Sequence, residues 1–291
     1  MSFAKSRSGV SLMAAMALTT LAAPALAAPK SQSVEIRFAA AVNGAPLTCG
    51  QRYTGIGSTG ASLELQDFRI YVSNFRLLTK DGKEVPMALT PDGVWQDDKV
   101  ALLDFENATG NCNGNAPLNT TIKGTAPKGD YSGVVFDIGV PFEINHQDPT
   151  LAPAPLNLSA TAWPWRVGYK FTTIDLETAP AAGKTASASG FSIHLGSTAC
   201  GEGSWVTPPK MACSNPNRPE YRFTAFNPKT NTLVMDLGAV LATTDITTNA
   251  PQSPSGCMSS EEDNDCVGLF DRLGLTFRGK PSQGQAFITV K

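Results

Sequence analysis

Six cysteines constrain this chain more than any other feature: Cys49, Cys112, Cys200, Cys213, Cys257 and Cys266. All lie beyond an N-terminal stretch with the layout of an export leader. Lys5 and Arg7 give a basic start, Val10 to Leu21 is mostly apolar, and Ala25-Leu26-Ala27 offers a small-x-small cleavage site. Residues 1–27 are therefore expected to be a signal peptide, and 28–291 a single exported domain. No cysteine follows the cut, so no lipid anchor is expected. In an oxidising compartment an even set of cysteines pairs with itself rather than ligating metal. Short loops favour Cys200 with Cys213 and Cys257 with Cys266, which leaves Cys49 with Cys112.

Between these staples the chain reads as short strands and turns. Val34, Ile36 and Phe38 alternate with Glu35 and Arg37, the period of a half-buried strand. Leu63 and Leu65 begin another strand, and Phe68 to Leu78 is strongly strand-forming. Lys80-Asp81-Gly82-Lys83 is a turn, with Glu84 to Leu89 as the returning partner. Further strands are expected at Val100–Phe105, Tyr131–Val140, Lys170–Glu177, Phe191–Leu195 and Phe287–Val290. Cys49 to Gly60 reads as loop and Gly124 to Gly129 as a turn region. Arg222–Phe226 and Thr232–Leu237 read as a hairpin across Asn227-Pro228. Val240, Leu241 and Ile246 fit either a short helix or a strand, and Val267 to Leu273 a short helix closing at Gly274. The expected fold class is mainly β, a disulfide-stapled sandwich-like domain with long ordered loops.

The composition excludes several functions. The formal net charge of −2 becomes −4 once Lys5 and Arg7 leave with the leader, so nothing favours nucleic-acid binding. No later apolar run is long enough to span a membrane. There is no CxxC or CxxCH, no HExxH, no GxSxG, no GxGxxG after a strand and no P-loop. Ser-His-Asp chemistry is open on spacing alone, because such groups meet in space. The acidic run Glu261-Glu262-Asp263-Asn264-Asp265 lacks the spacing and central Gly of an EF-hand and reads as a disulfide-held loop.

The segment T-A-W-P-W-R-V-G-Y-K-F, residues 161–171, holds two of the four tryptophans. In an extended chain Trp163 and Trp165 point to the same side, and Pro164 restrains Trp163 toward that form. The two histidines of the whole chain flank the segment, His146 before it and His194 after it. His194 alternates with Ile193 and Leu195, away from the apolar face. Two imidazoles suit copper, zinc, nickel or iron but leave a coordination set incomplete. Asp67, Asp137, Glu143 and Asp148 are the carboxylates within reach of the argument. The plain alternative is a pair of core tryptophans and two hydrogen-bonding histidines.

Resemblance to a known family adds to this reading. The stretches C-G-Q-R-Y (49–53), D-F-R-I-Y-V-S-N (67–74), L-L-D-F-E (102–106) and G-V-P-F-E-I-N-H (139–146) carry it. So do A-P-L-N (154–157), W-P-W-R-V-G-Y-K-F (163–171), H-L-G-S-T-A-C (194–200) and G-C-M-S (256–259). In this order they resemble the MbnP family of exported copper-binding proteins, related to surface copper proteins of methane-oxidising bacteria. Pro164 stands where the family pattern carries Ser. The resemblance implies one copper ion per chain, bound after a tryptophan has been oxidised to kynurenine by a separate di-haem, MauG-like protein. It carries His146, His194 and one of Trp163 or Trp165 to the metal, with Asp137 or Asp148 as the carboxylate that could complete the set.

The expected function is thus a periplasmic copper-binding protein in copper acquisition or handling, not an enzyme, with a copper donor or acceptor as a further partner. A surface or secreted location is the alternative to the periplasm. The alternative functions are an exported copper-dependent redox enzyme or hydrolase, and a structural or adhesion domain.

Overall fold

A computed structural model describes Met1 and residues 30–164, 167–202 and 207–291. The expected leader, apart from Met1, lies outside the described residues, as does Trp165.

Fifteen strands make two sheets among the described residues. In chain order they are β1 (Ser31–Val42), β2 (Ala45–Pro46), β3 (Arg52–Ile56), β4 (Ala61–Leu78), β5 (Glu84–Pro86), β6 (Ala88–Leu89), β7 (Val100–Asp104) and β8 (Thr121–Pro127). After these come β9 (Gly133–Ile138), β10 (Thr172–Ala179), β11 (Gly190–Ile193), β12 (Glu220–Phe223), β13 (Thr232–Asp236), β14 (Gly256–Cys257) and β15 (Ile288–Val290). One sheet runs β15-β13-β1-β8-β6, with β2 on β1. The other runs β12-β9-β4-β10-β11-β14, with β3, β5 and β7 also on β4.

The second sheet is built around β4, which spans 18 residues. Successive partners line its edges, β10 and β9 along one and β3, β7 and β5 along the other. The register shifts between Ser73 and Arg76, where Asn74 takes a φ of 55°. Such a bulge bends a strand and increases its twist. The sheets meet through aromatic side chains. Phe38 of β1 packs edge-on against Phe136 of β9 at 5.5 Å, and Phe136 stacks on Phe75 and Tyr221. Burying one such ring contributes about 1.5–3 kcal/mol.

All three disulfides form as expected: Cys49–Cys112, Cys200–Cys213 and Cys257–Cys266. No helix among the described residues is long and apolar enough to cross a membrane.

Three sequence expectations need correction. The stretch 49–60 holds β3, because Tyr53 and Ile56 are buried against β4. The supposed turn after Gly124 is part of β8, where Ile122, Gly124 and Ala126 point inward and Lys123 and Thr125 outward. The segments 222–226 and 232–237 are not a hairpin. β12 pairs with β9, whereas β13 runs parallel to β1 in the other sheet. Residues 237–241 resolve as a short helix, capped by the Asp236 carboxylate on the Ala239 amide. Residues 267–273 are helical and end at Gly274 as expected.

Candidate metal centre

Three chain segments converge at one end of the second sheet. The first is the single helical turn Phe142–Asn145, which follows Pro141 and ends at His146. The second is the tryptophan turn, closed by hydrogen bonds from the Trp163 amide to Gly168 O (2.9 Å) and from the Gly168 amide to Pro164 O (3.1 Å). The third is the chain leaving β11 through His194 to Cys200.

Asn145 ties them together. Its Oδ1 accepts from the Tyr169 amide at 2.8 Å, and its Nδ2 reaches Ser197 Oγ at 3.5 Å and the neighbouring His146 Nε2 at 3.3 Å. Gly168 makes this approach possible: its φ is +85°, and a Cβ there would lie 2.6 Å from the Asn145 carbonyl oxygen. Beneath the turn, Tyr71 donates to Pro155 O or Thr161 Oγ1, both at 2.9 Å, and Tyr169 donates to Leu156 O at 2.6 Å. The polar handles of two buried rings thus fix the proline-bearing loop.

His146 is buried, with Phe142 edge-on at 5.1 Å and Cys213 Sγ 3.6 Å from its Nε2. His194 is half-buried, one residue past the end of β11. Its amide donates to Cys257 O, and its carbonyl accepts from Ser259 Oγ at 2.9 Å. The ring of Trp163 stands edge-on to the His194 ring, with centroids 6.3 Å apart. It also covers Gly196, where a Cβ would lie 2.5 Å from Trp163 Cζ3.

Sequence reasoning missed the carboxylate at this site. Asp175 Oδ1 lies 2.9 Å from His194 Nε2 and 2.5 Å from Ser192 Oγ. Burial pushes the Asp175 carboxyl up, but His194, Ser192 and Lys170 together hold it below its ordinary value. An ionised carboxylate only accepts, so His194 Nε2 carries a hydrogen, which leaves Nδ1 as the nitrogen a metal would use. This is not a serine-hydrolase relay. There the histidine stands between serine and aspartate, whereas here the aspartate stands between serine and histidine.

Half-buried Asp175 ends a row of charges across the sheet whose other members, Asp67, Arg69 and Asp104, are buried. It faces Asp67 on β4, Arg69 pairs with Asp67, and Arg69 is in register with Asp104 on β7. Burial pushes the Asp67 carboxyl up to about 6 despite Arg69, and the Asp104 carboxyl up to about 7.

The segments that meet here are those whose motifs carry the family resemblance, and the comparisons agree. The MbnP family's sequence model matches residues 31–259. The chain belongs to the MbnP family. It is similar to the solved structure of MbnP from Methylosinus trichosporium, with 35% identity over 90% of this chain and 98% of that one and a TM-score of 0.79. No curated protein matches it.

In this MbnP-family chain the two proposed aspartates have other partners. Asp137, on β9, accepts from Arg218 and Asn74, both at 3.1 Å. Asp148 accepts from the amide and hydroxyl of Thr150 and shapes the turn after His146. The acidic run near Cys257 is spent on backbone as well: Asp263 accepts from the Met258 and Asp265 amides, and Asp265 from Ala250. Asp175 has a signal in the sequence, an acidic residue within the β10 alternation, but only the register of β10 on β11 brings it to His194.

Proposed function

We propose that this MbnP-family chain is a periplasmic copper-binding protein that holds copper for acquisition or handling and is not itself an enzyme. His146 and His194 would hold the ion together with a kynurenine made from Trp163. The observation that carries this reading is the Trp163 ring against His194, in a turn that Asn145 clamps to the His146 helix.

The donor chemistry fits. The indole nitrogen only donates, so tryptophan itself adds no ligand to two imidazoles. Loss of indole C2 and addition of oxygen at C3 would leave a ketone and an aromatic amine with a lone pair. A separate di-haem, MauG-like partner would supply the oxidising equivalents, and Trp163 is only half-buried. Asp175 would orient His194 from behind, as carboxylates commonly do for metal-bound imidazoles. Bound copper would be cargo, to be taken from a donor or passed to an acceptor.

The test is a copper titration of the chain before and after coexpression with the di-haem partner. The processed form is expected to take one copper ion per chain, and the unprocessed form, with its disulfides closed, none. Substitution of both histidines, His146→Ala with His194→Ala, should abolish binding in the processed form. Intact binding in that double variant would overturn the reading.

A further inference from the structure

The Cys200–Cys213 disulfide lies against His146. Cys213 Sγ is 3.6 Å from His146 Nε2, and the two sulfurs and a His146 nitrogen all lie within 4.8 Å of one another. The other two disulfides have carboxylates beside them, Glu106 and Asp263. Those carboxylates already accept backbone amides, and they are hard donors. Only the Cys200–Cys213 pair has an imidazole, the partner that suits thiolates around a soft metal.

We propose that reduction of Cys200–Cys213 turns this corner into an alternative soft-metal site, which shares His146 with the site proposed above and has Cys200, Cys213 and His146 as ligands and monovalent copper as the ion. The choice of copper rests on the function proposed above; the ligand set does not.

The geometry is close to that required. Metal–thiolate bonds of about 2.3 Å and metal–imidazole bonds of about 2.0 Å place S and N roughly 3.5–3.7 Å apart around a shared ion. The Cys213–His146 separation already has that value. The two sulfurs must part, and Cys200 Sγ already lies within 4.8 Å of the imidazole nitrogen. Cys200 is half-buried and Cys213 buried, so a reducing dithiol meets Cys200 first. Its thiolate attacks Cys200 Sγ, the S–S bond breaks, and Cys213 leaves as thiolate. The second thiol of the reductant then attacks the mixed disulfide and frees Cys200. Two electrons and two protons pass to the chain, the dithiol departs as its own disulfide, and metal binding expels the thiol protons. Copper held this way needs no kynurenine, so a chain that has not been processed could still retain it under reducing conditions.

The test uses the full, unprocessed chain. It is treated with dithiothreitol, desalted under nitrogen, and titrated with monovalent copper against the chromophoric chelator bicinchoninate. Alkylation and peptide mass spectrometry identify the opened disulfide. The reduced chain is expected to gain one tight equivalent over the oxidised chain. Cys200→Ser with Cys213→Ser should lose that gain. His146→Ala, which keeps both cysteines, should weaken it about tenfold or more, and it decides the matter if the double variant does not fold. The proposal is overturned if reduction brings no gain, if the gain survives in these variants, or if Cys200–Cys213 stays closed until the chain unfolds. Processed, oxidised protein titrated in parallel reports on the kynurenine site separately, so either reading can fail without the other.

Discussion

His194 Nε2 donates to Asp175 Oδ1 across 2.9 Å, and the same oxygen accepts from Ser192. Asp175 and Ser192, paired across β10 and β11, thereby set which nitrogen of His194 faces away from the carboxylate. Asp175→Asn should keep the fold but allow the amide to present a donor, loosening the ring and its tautomer. The expected result is a loss of about 10–100-fold in copper affinity of the processed protein, measured by chelator competition. Unchanged affinity would mean that Asp175 does not position the ligand.

Gly196 gives Trp163 its place. A methyl group there would lie 2.5 Å from Trp163 Cζ3 and 3.0 Å from Tyr169 O. Gly196→Ala should push the indole away from His194 at a cost of about 1–3 kcal/mol. Most of the kynurenine yield should be lost on coexpression with the di-haem partner, as read by mass spectrometry. Full yield would show that the Trp163–His194 contact is not needed for processing.

The buried acids give the fold a pH dependence. In the folded chain the Asp67 carboxyl lies at about 6 and the Asp104 carboxyl at about 7, against ordinary values near 4. Between those limits the folded state holds more protons than the unfolded one. Their contribution to stability therefore falls as pH rises through this window, by at most about 1.4 kcal/mol per pH unit for each group. One oxygen of Asp104 has no hydrogen-bond partner among the described residues. Asp104→Asn should thus gain on the parent as pH rises from 5 to 8, by about 2–4 °C in Tm for each kcal/mol relieved. A constant difference across that range would contradict the assignment.

Much of the fold was legible because alternation and burial agree. β1, β9 and β10 show their period directly, and the disulfides followed from short loops and elimination. The β12–β13 expectation failed because a turn signal at Asn227-Pro228 does not say which sheet each arm joins. β13 finds β1, 195 residues away along the chain, through pairing that no local pattern records. β8 was hidden by Gly124 and the polar residues around it, although Ile122 and Ala126 keep the period. At the site, His146, His194 and Trp163 stood out because histidine and tryptophan are scarce in this chain. Asp175 did not, since it is one of many acids, and only strand register brings it to His194. Asn145 was hidden for a similar reason: an asparagine shows its role only when the three segments it joins are folded together.

The most direct test is mass spectrometry of the peptide spanning residues 163–165, from protein made with the proposed di-haem partner. Conversion of tryptophan to kynurenine adds about 4 Da. That shift is expected on Trp163, assigned by fragment ions, in the population that binds copper. Copper bound by a chain with Trp163 unaltered and its disulfides intact would contradict it.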